Sequence, residues 1–321
     1  MKAAVYTQYG PPEVIKIKEI EKPVPKNNEV LVRVFASSMN RTDCGFRKPE
    51  YPLIIRLING IYRPKITVMG SEFSGVVEET GKNVKDFNTG DEVFGLSTTK
   101  FGTHAEYVCI AENGSIALKP DGVTFEEAAG VCDGLMLALA YIREIDFSKE
   151  KKIIINGASG SIGTAGLQLA RYFGANITAI CNGKNTELVK SLGAEKVIDY
   201  EREDFTKDNE KYDIVFDAVG KSSFFKCKKI LKKKGIYFST ELGFMGQNVF
   251  LSLLTPLFRK RRVKFPIPKD SKKDIEFFKE LLEAGNYTAV IDKVYSLKEI
   301  VEAAKYVETG GKTGNVVIKI R

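Results

Sequence analysis

The run Ile153-Ile154-Ile155-Asn156-Gly157-Ala158-Ser159-Gly160-Ser161-Ile162-Gly163 constrains the fold more than any other part of this 321-residue chain. Three branched apolar residues read as a buried strand. The spacing G-x-x-G-x-x-G then reads as a tight turn, and the residues beyond it as a helix running to about Phe173. Glycines there let backbone amides approach a pyrophosphate and let the helix pack close to the strand. The helix start faces the anion with its N–H groups and the positive end of its dipole. Because the glycines sit between a strand and a helix, the run indicates a dinucleotide site rather than a structural turn alone.

The pattern after Lys152 keeps alternating. Ile177 to Cys181, Lys196 to Ile198, Asp213 to Phe216, Ile236 to Ser239 and Val263 to Ile267 read as strands, with helical stretches through Leu192 and elsewhere between them. Parallel strands need crossover helices, so this region is expected to form a doubly wound parallel sheet. Thr124-Phe125-Glu126-Glu127 is a capping box and opens an Ala/Leu-rich helix expected to run to about Ile145. Before it, short alternating segments such as Val30 to Val34, Gly75 to Glu78 and Ala105 to Cys109 are broken by Gly and Pro, which predicts a β-rich, partly barrel-like domain. After Pro268 come a helix (Asp274 to Glu283), a second around Leu297 to Val307, and a last strand, Asn315 to Ile320. The fold class is therefore α/β, with a β-rich domain from 1–123 and 268–321 and a nucleotide-binding domain from 124–267.

Composition narrows the function classes. Hydrophobic residues at 43% and charged residues at 28% exclude bulk disorder. Met1 to Gln8 lacks an apolar leader-like run and reads as an edge strand, and the longest apolar stretch, Val249 to Phe258, is too short to span a bilayer. The five cysteines, Cys44, Cys109, Cys132, Cys181 and Cys227, are scattered and never spaced C-x-x-C, so they read as reduced thiols of a cytoplasmic protein. The balance of 49 cations against 41 acids leaves +8. Its densest patch, Arg259 to Arg262 with Lys264, abuts a strand and reads as a solvated rim, so no nucleic-acid partner is expected.

The second strand bears on the cofactor. An NAD site places an acid about 20 residues after the fingerprint to bind the ribose hydroxyls. Here the strand ends Ala179-Ile180-Cys181-Asn182-Gly183-Lys184, without Asp or Glu. A carboxylate would repel the 2′-phosphate of NADP, whereas Lys184 can pair with it, so NADPH is expected.

With Gly157–Gly163, Asp213 to Gly220 and Leu192-Gly193-Ala194 in hand, the chain resembles the medium-chain dehydrogenase/reductase superfamily, and within it the zinc-less quinone oxidoreductase-like group. Ser38 to Asp43, Gly70 to Gly75, Gly90 to Gly95 and Gly310 to Ile318 carry the same resemblance, which covers nearly the whole chain. It implies a Rossmann nucleotide-binding domain and a GroES-like substrate domain. It also implies that Ser159, Gly160, Ser161, Ile162 and Gly163 line the pyrophosphate, that Asn182, Lys184 and Tyr200 meet the adenosine side, and that Val219 and Gly220 lie along the nicotinamide. Lys312 joins this cofactor set, and a homodimer is implied. Zinc-dependent relatives carry a Cys where this chain has Asn40 and a His in the segment reading Gly70-Ser71-Glu72. Both ligands are absent, and the single histidine, His104, reads as structural, so no metal is expected.

Without a Lewis acid, a site of this type suits hydride addition from NADPH to a quinone, an α,β-unsaturated carbonyl or an aldehyde, held by hydrogen bonds. Asn40 is the candidate donor to the acceptor oxygen, with Asp43 fixing its loop. Phe46, Tyr51 and the segment Leu53 to Pro64 are expected to shape the pocket, with the stretch Val249 to Phe258 covering it, lying at a subunit interface, or touching a membrane beside the basic run. Two other readings stay open: an NADPH-binding protein whose main role is RNA or protein binding, and a zinc-type alcohol dehydrogenase.

Overall fold

A computed structural model describes residues 1–49, 56–57, 59–258 and 260–321. It divides into two compact units. Met1–Asp133, Asp270–Gly285 and Ala289–Arg321 form the first, and Gly134–Lys269 with Asn286–Thr288 the second. In chain order the first unit opens with β1 (Lys2–Val5), β2 (Lys16–Glu19), β3 (Glu29–Met39), α1 (Arg41–Arg47), β4 (Glu72–Thr80), β5 (Glu92–Leu96), β6 (Tyr107–Ala111), β7 (Ile116–Leu118) and α2 (Phe125–Ala129). The second unit follows with α3 (Cys132–Ile142), whose first two residues still belong to the first unit, then β8 (Lys152–Asn156), α4 (Ser161–Tyr172), β9 (Asn176–Cys181), α5 (Thr186–Ser191), β10 (Lys196–Asp199), β11 (Tyr212–Asp217), α6 (Phe224–Cys227), β12 (Leu231–Ser239), α7 (Gln247–Leu254) and β13 (Arg262–Lys264). The chain ends in the first unit with α8 (Lys272–Glu283), β14 (Ile291–Ser296), α9 (Ile300–Glu308) and β15 (Asn315–Lys319).

The second unit is the doubly wound sheet its alternating pattern predicts. Its six strands are all parallel, in the order β10-β9-β8-β11-β12-β13. The order reverses at β8, so right-handed crossovers put α4 and α5 on one face and α6 and α7 on the other. Strands covered on both sides need no alternation, which is why Ile153, Ile154 and Ile155 are all fully buried. The short return segment Asn286–Thr288 belongs to this unit because Gln168 grips it from both sides. Its Nε2 donates to the Thr288 carbonyl (3.1 Å), and its Oε1 accepts the Thr288 N–H (2.8 Å).

The first unit is β-rich. A seven-stranded sheet runs β14-β15-β3-β4-β5-β7, with β6 paired to β3, and β1 and β2 make a separate antiparallel pair. Its core is the alternating inward face of these strands: Val30, Val32, Val34, Phe73, Val77, Val93 and Ile116.

Three local expectations change. The helix predicted from Thr124 to Ile145 is two helices, because Gly130 caps the first with its N–H on the Glu126 and Glu127 carbonyls. The strand predicted to reach Ile267 stops at Lys264, since Pro266 and Pro268 have no N–H for a ladder. β14 adds a strand where no alternation had been noted.

Arg47, the last residue of α1, is an internal strut. It is among the largest fully buried side chains, donates to the Gly10 carbonyl (2.5 Å) and pairs with Glu308. Replacing it with Met removes the charge and leaves that carbonyl and carboxylate unmatched. Arg47→Met should therefore cost about 3 kcal/mol, read as a lower urea midpoint at unchanged m-value.

Candidate functional site

In the second unit the glycine turn is built from its backbone. The Gly157 and Ala158 amides both donate to the Ile180 carbonyl at the end of β9 (3.1 and 2.9 Å), and the Gly160 amide returns to the Gly157 carbonyl (3.1 Å). Gly157 has φ +78°, a conformation that side chains disfavour. A Cβ on Gly163 would sit 2.0 Å from the Gly157 oxygen, so only glycine lets α4 start this close to β8. Gly160 differs: a Cβ there meets only that same oxygen at 3.5 Å, an ordinary contact. Gly160 is also the N-cap of α4, with an extended backbone and no side chain to cap the helix. Packing accounts for Gly163; at Gly160 it leaves room beside a helix start whose first amides have no partner within the helix.

The loop after β11 is held by one buried acid. Asp217 accepts the Asn156 amide (2.9 Å), the Tyr237 hydroxyl (3.1 Å), the Ser222 N–H (2.9 Å) and, more weakly, the Val219 N–H (3.4 Å). Burial and the Asp217 charge push the Tyr237 phenol upward, so it stays a donor. This network fixes Val219 and Gly220 at the carboxyl end of the sheet, where ligands of such sheets bind.

At the end of β9 the Asn182 side chain accepts from Asn185 (2.8 Å), while Lys184 is exposed. Tyr200 is exposed as well, and its N–H reaches the Cys181 carbonyl (3.1 Å). β9 itself ends without an acid, but Asp199 from β10 stands beside Gly183, its carboxylate 2.9 Å from where a Cβ would be. That carboxylate takes the Glu201 N–H (3.0 Å) and pairs with the Arg202 guanidinium (3.4 Å).

The first unit holds a separate polar cluster at the end of β3 and the start of β4. Asn40 caps α1 in a reciprocal capping box: its Oδ1 accepts the Asp43 N–H, and Asp43 accepts the Asn40 N–H, both at 3.0 Å. The Asn40 amide also donates to the Ser71 Oγ (3.0 Å), and the second Asp43 oxygen takes the Gly70 N–H (3.0 Å). His104 is fully inside, with Nε2 2.7 Å from the Ser38 carbonyl; a carbonyl only accepts, so this nitrogen carries the proton. Sequence reasoning singled out Asn40 and Asp43 and passed over the most unusual members of this cluster. Glu72, 1% exposed, takes the Ser38 hydroxyl on one oxygen and the Asp133 N–H on the other (2.7 Å). Asp133 is 8% exposed, and its carboxyl has no hydrogen-bond partner among the described residues. Burial, then the neighbouring Asp133 charge, pushes Glu72 up to about 8. Burial, then the Asp43 charge, pushes Asp133 up to about 7. Lys312 is also in this unit, its ammonium on the Gly314 carbonyl, with burial drawing it down to about 8 against the pull of Asp133, Glu72 and Asp292. The two acids therefore hold a proton between them near neutrality.

Among the described residues no group of three or more His, Cys, Asp or Glu is arranged to hold a metal ion, and no helix is long and apolar enough to cross a membrane. Phe46 packs on Phe101 (4.9 Å) inside the first unit; Tyr51 and the start of the expected pocket segment lie outside the described residues.

Two family descriptions match the chain: "Alcohol dehydrogenase GroES-like domain" over 26–121 and "Zinc-binding dehydrogenase" over 192–318. A 2-methylene-furan-3-one reductase of Solanum lycopersicum is 32% identical over 99% of this chain and 79% of its own length. The chain belongs to the medium-chain dehydrogenase/reductase superfamily, in its quinone oxidoreductase-like group. An NADPH-dependent alkenal/one oxidoreductase of Arabidopsis thaliana, named as chloroplastic, matches at 31% with the same coverage. The solved quinone oxidoreductase of Coxiella burnetii superposes with a TM-score of 0.89 at 27% identity, covering 100% of this chain and 99% of that one. The fold expected from the resemblance, a Rossmann sheet with a GroES-like domain, is the fold observed.

The two glycines should separate in experiment. Gly163→Ala must move backbone and should lower the unfolding midpoint by about 2 kcal/mol, while Gly160→Ala should leave it within about 0.5 kcal/mol. Thermal melting of the two apo variants checks this.

Proposed function

We propose that this chain reduces an α,β-unsaturated carbonyl or a quinone with NADPH, without zinc, and that Asp133 provides the proton. The observation that carries the reading is the glycine turn, in which Gly160 stays small beside an uncapped helix start for no reason of packing. Similar proteins named for furanone, alkenal/one and quinone reduction support the acceptor class.

In this reading Ser159 to Gly163 hold the pyrophosphate, and Val219 and Gly220, fixed by Asp217, border the nicotinamide. Asn182, Lys184 and Tyr200 take the adenosine side. Asp199 would favour a free ribose, but Arg202 neutralises it, leaving Lys184 as an exposed cation for a 2′-phosphate. Lys184→Ala should weaken NADPH about tenfold and leave NADH unchanged, a loss of one charge-assisted hydrogen bond. Fluorescence titration of both nucleotides reads this, and equal losses would remove the 2′-phosphate assignment.

When bound, the reduced nicotinamide supplies the hydride. As the acceptor gains it, the displaced electron pair moves toward the acceptor oxygen. Asn40 spends one amide hydrogen on Ser71 and keeps the other for that oxygen, while Asp43 positions Asn40. The Asp133 carboxyl then gives its proton to the reduced acceptor. Its carboxylate is stabilised by the Lys312 ammonium and regains a proton from solvent. Lys312, assigned to the cofactor by resemblance, is thereby given a role with the acids it faces. Ser71 and Asn40, standing where zinc-dependent relatives carry ligands, are bonded to each other, which supports catalysis without zinc.

The pH dependence follows from Asp133, raised to about 7, which keeps its proton below that value and loses it above. Turnover should fall about tenfold per pH unit beyond neutrality. Asp133→Asn should lower kcat about a hundredfold, abolish that descending limb and leave NADPH affinity unchanged. Loss of reduced-nicotinamide absorbance with enones and quinones across pH is the measurement. A D133N profile that still bends near neutrality would assign the proton elsewhere, while NADPH binding without any turnover would favour a binding protein.

A further inference from the structure

Three of the four residues from Gly243 to Gly246 have positive φ: Gly243 at +71°, Met245 at +49° and Gly246 at +74°. Glycine takes that region freely, but a methionine there is strained, and such strain persists only where the surroundings impose it. Here they do. The Asn248 side chain, 2% exposed, donates to the Glu241 carbonyl (2.8 Å), and the Asn248 N–H reaches the Leu242 carbonyl (3.0 Å). The Gly246 N–H returns to the Gly243 carbonyl (3.1 Å), and the Thr240 N–H ties the start of the loop to the Asp217 carbonyl at the end of β11 (3.1 Å). A Cβ on Gly243 would lie 2.9 Å from the Gln247 side chain and 3.0 Å from the Asn248 amide. What this fixed loop holds out is apolar: Phe244 is 78% and Met245 82% exposed. Water alone gives no return for straining a methionine into it, so a ligand or partner that covers both side chains is called for.

The loop follows β12 at the carboxyl end of the parallel sheet, the end at which ligands of such sheets bind. The cofactor groups proposed above are spread along the same edge: the adenosine side after β9, the pyrophosphate after β8, and the nicotinamide side at Val219 and Gly220 after β11. In the order β9-β8-β11-β12 the loop after β12 comes next. It touches that last position, since a Cβ on Gly220 would lie 2.2 Å from the Glu241 Cγ. The ligand beyond the nicotinamide is the acceptor.

We propose that Phe244 and Met245 determine acceptor specificity by covering an apolar chain or ring, so that the preferred acceptor is a neutral enone, enal or quinone extended by several carbons. A phenyl ring and a flexible thioether fit aliphatic and aromatic groups of varied shape, and neither offers a charge to a polar one. This role rests on the cofactor placement and acceptor class proposed above.

Ligand-observed NMR titration of the NADP-loaded chain with saturated methyl ketones, 2-butanone to 2-heptanone, reads the chain-length dependence without turnover. Affinity should rise about threefold per methylene, about thirtyfold across the series. Phe244→Ala with Met245→Gly should flatten the whole rise to about threefold. Met245→Gly alone keeps the turn, because glycine needs no strain there, and should cut the rise about threefold, so it decides if the double variant misfolds. kcat/KM for the matching enones, 3-buten-2-one to 3-hepten-2-one, should follow the same slopes. Chain-length-dependent binding that the variants lose, with no enone turned over, would support the loop's role and overturn the hydride reading. Turnover with the same slope in wild type and variants would overturn the loop's role and leave the hydride reading standing. A flat wild-type series would overturn it too, as would variants that change the oligomeric state and leave the slope intact.

Discussion

Two carboxyl groups occupy a dry corner of the β-rich unit, and the difficulty of charging both organises much of what surrounds them. Glu72 opens β4 and Asp133 opens α3; the Asp133 N–H lies on Glu72, and the Ser38 hydroxyl satisfies its other oxygen. Burial of one carboxylate in such a place costs several kcal/mol, and two are worse, so the pair keeps a proton at a pH where isolated carboxylates have none. Lys312 offsets the remaining charge. Beside them the Asn40–Asp43 capping box, Ser71 and the Gly70 amide form a rigid shell of satisfied hydrogen bonds. Within this shell the Asp133 carboxyl stands apart, because among the described residues it has no hydrogen-bond partner and only the Lys312 charge stabilises its carboxylate. An acid that shares a proton with its neighbour near neutrality and has no donor holding it is suited to proton transfer.

The second unit solves a different problem with the same economy of charge. Its one fully buried anion at the end of the sheet, Asp217, is answered by four donors and needs no cation. That arrangement sets a backbone loop instead of storing a proton. Asp217, saturated with donors, and Asp133, without them among the described residues, show how differently two buried acids of the same type are held.

How much of this was readable in the sequence depends on the reach of each signal. The glycine turn, the parallel strands and the Thr124 capping box are written in fewer than about twenty consecutive residues, and all three formed, although Gly130 ended the predicted helix early. Asn40 and Asp43 were singled out from the segment that carries the family resemblance, and the capping box between them is seen only in the structure. Glu72 and Asp133 were not, and Lys312 was assigned only to the cofactor, since the fold brings the three together across separations no local pattern records. One signal was present: Asp133 is a lone acid in Val131-Cys132-Asp133-Gly134-Leu135-Met136, and a charge in a run that is otherwise apolar has to be explained. Asp199 was hidden differently. It lies on the strand next to the one inspected for an acid, and only the register of β9 with β10 brings it beside Gly183.

The stretch Val249 to Phe258 shows why an apolar run does not tell inside from outside. A helix apolar on all sides ordinarily reads as buried. Here α7 caps the last crossover of an open sheet whose edge strand, β13, is three residues long, so only the Leu251 side has anything to pack against. The prolines that end β13 early leave no further strand or helix to cover the rest. Leaving Phe250, Leu253 and Leu254 in water is unfavourable by roughly 25 cal/mol per Å² of apolar area. A solvated rim explains the exposed cation Lys260 but not the apolar surface of α7, while Arg259 lies outside the described residues.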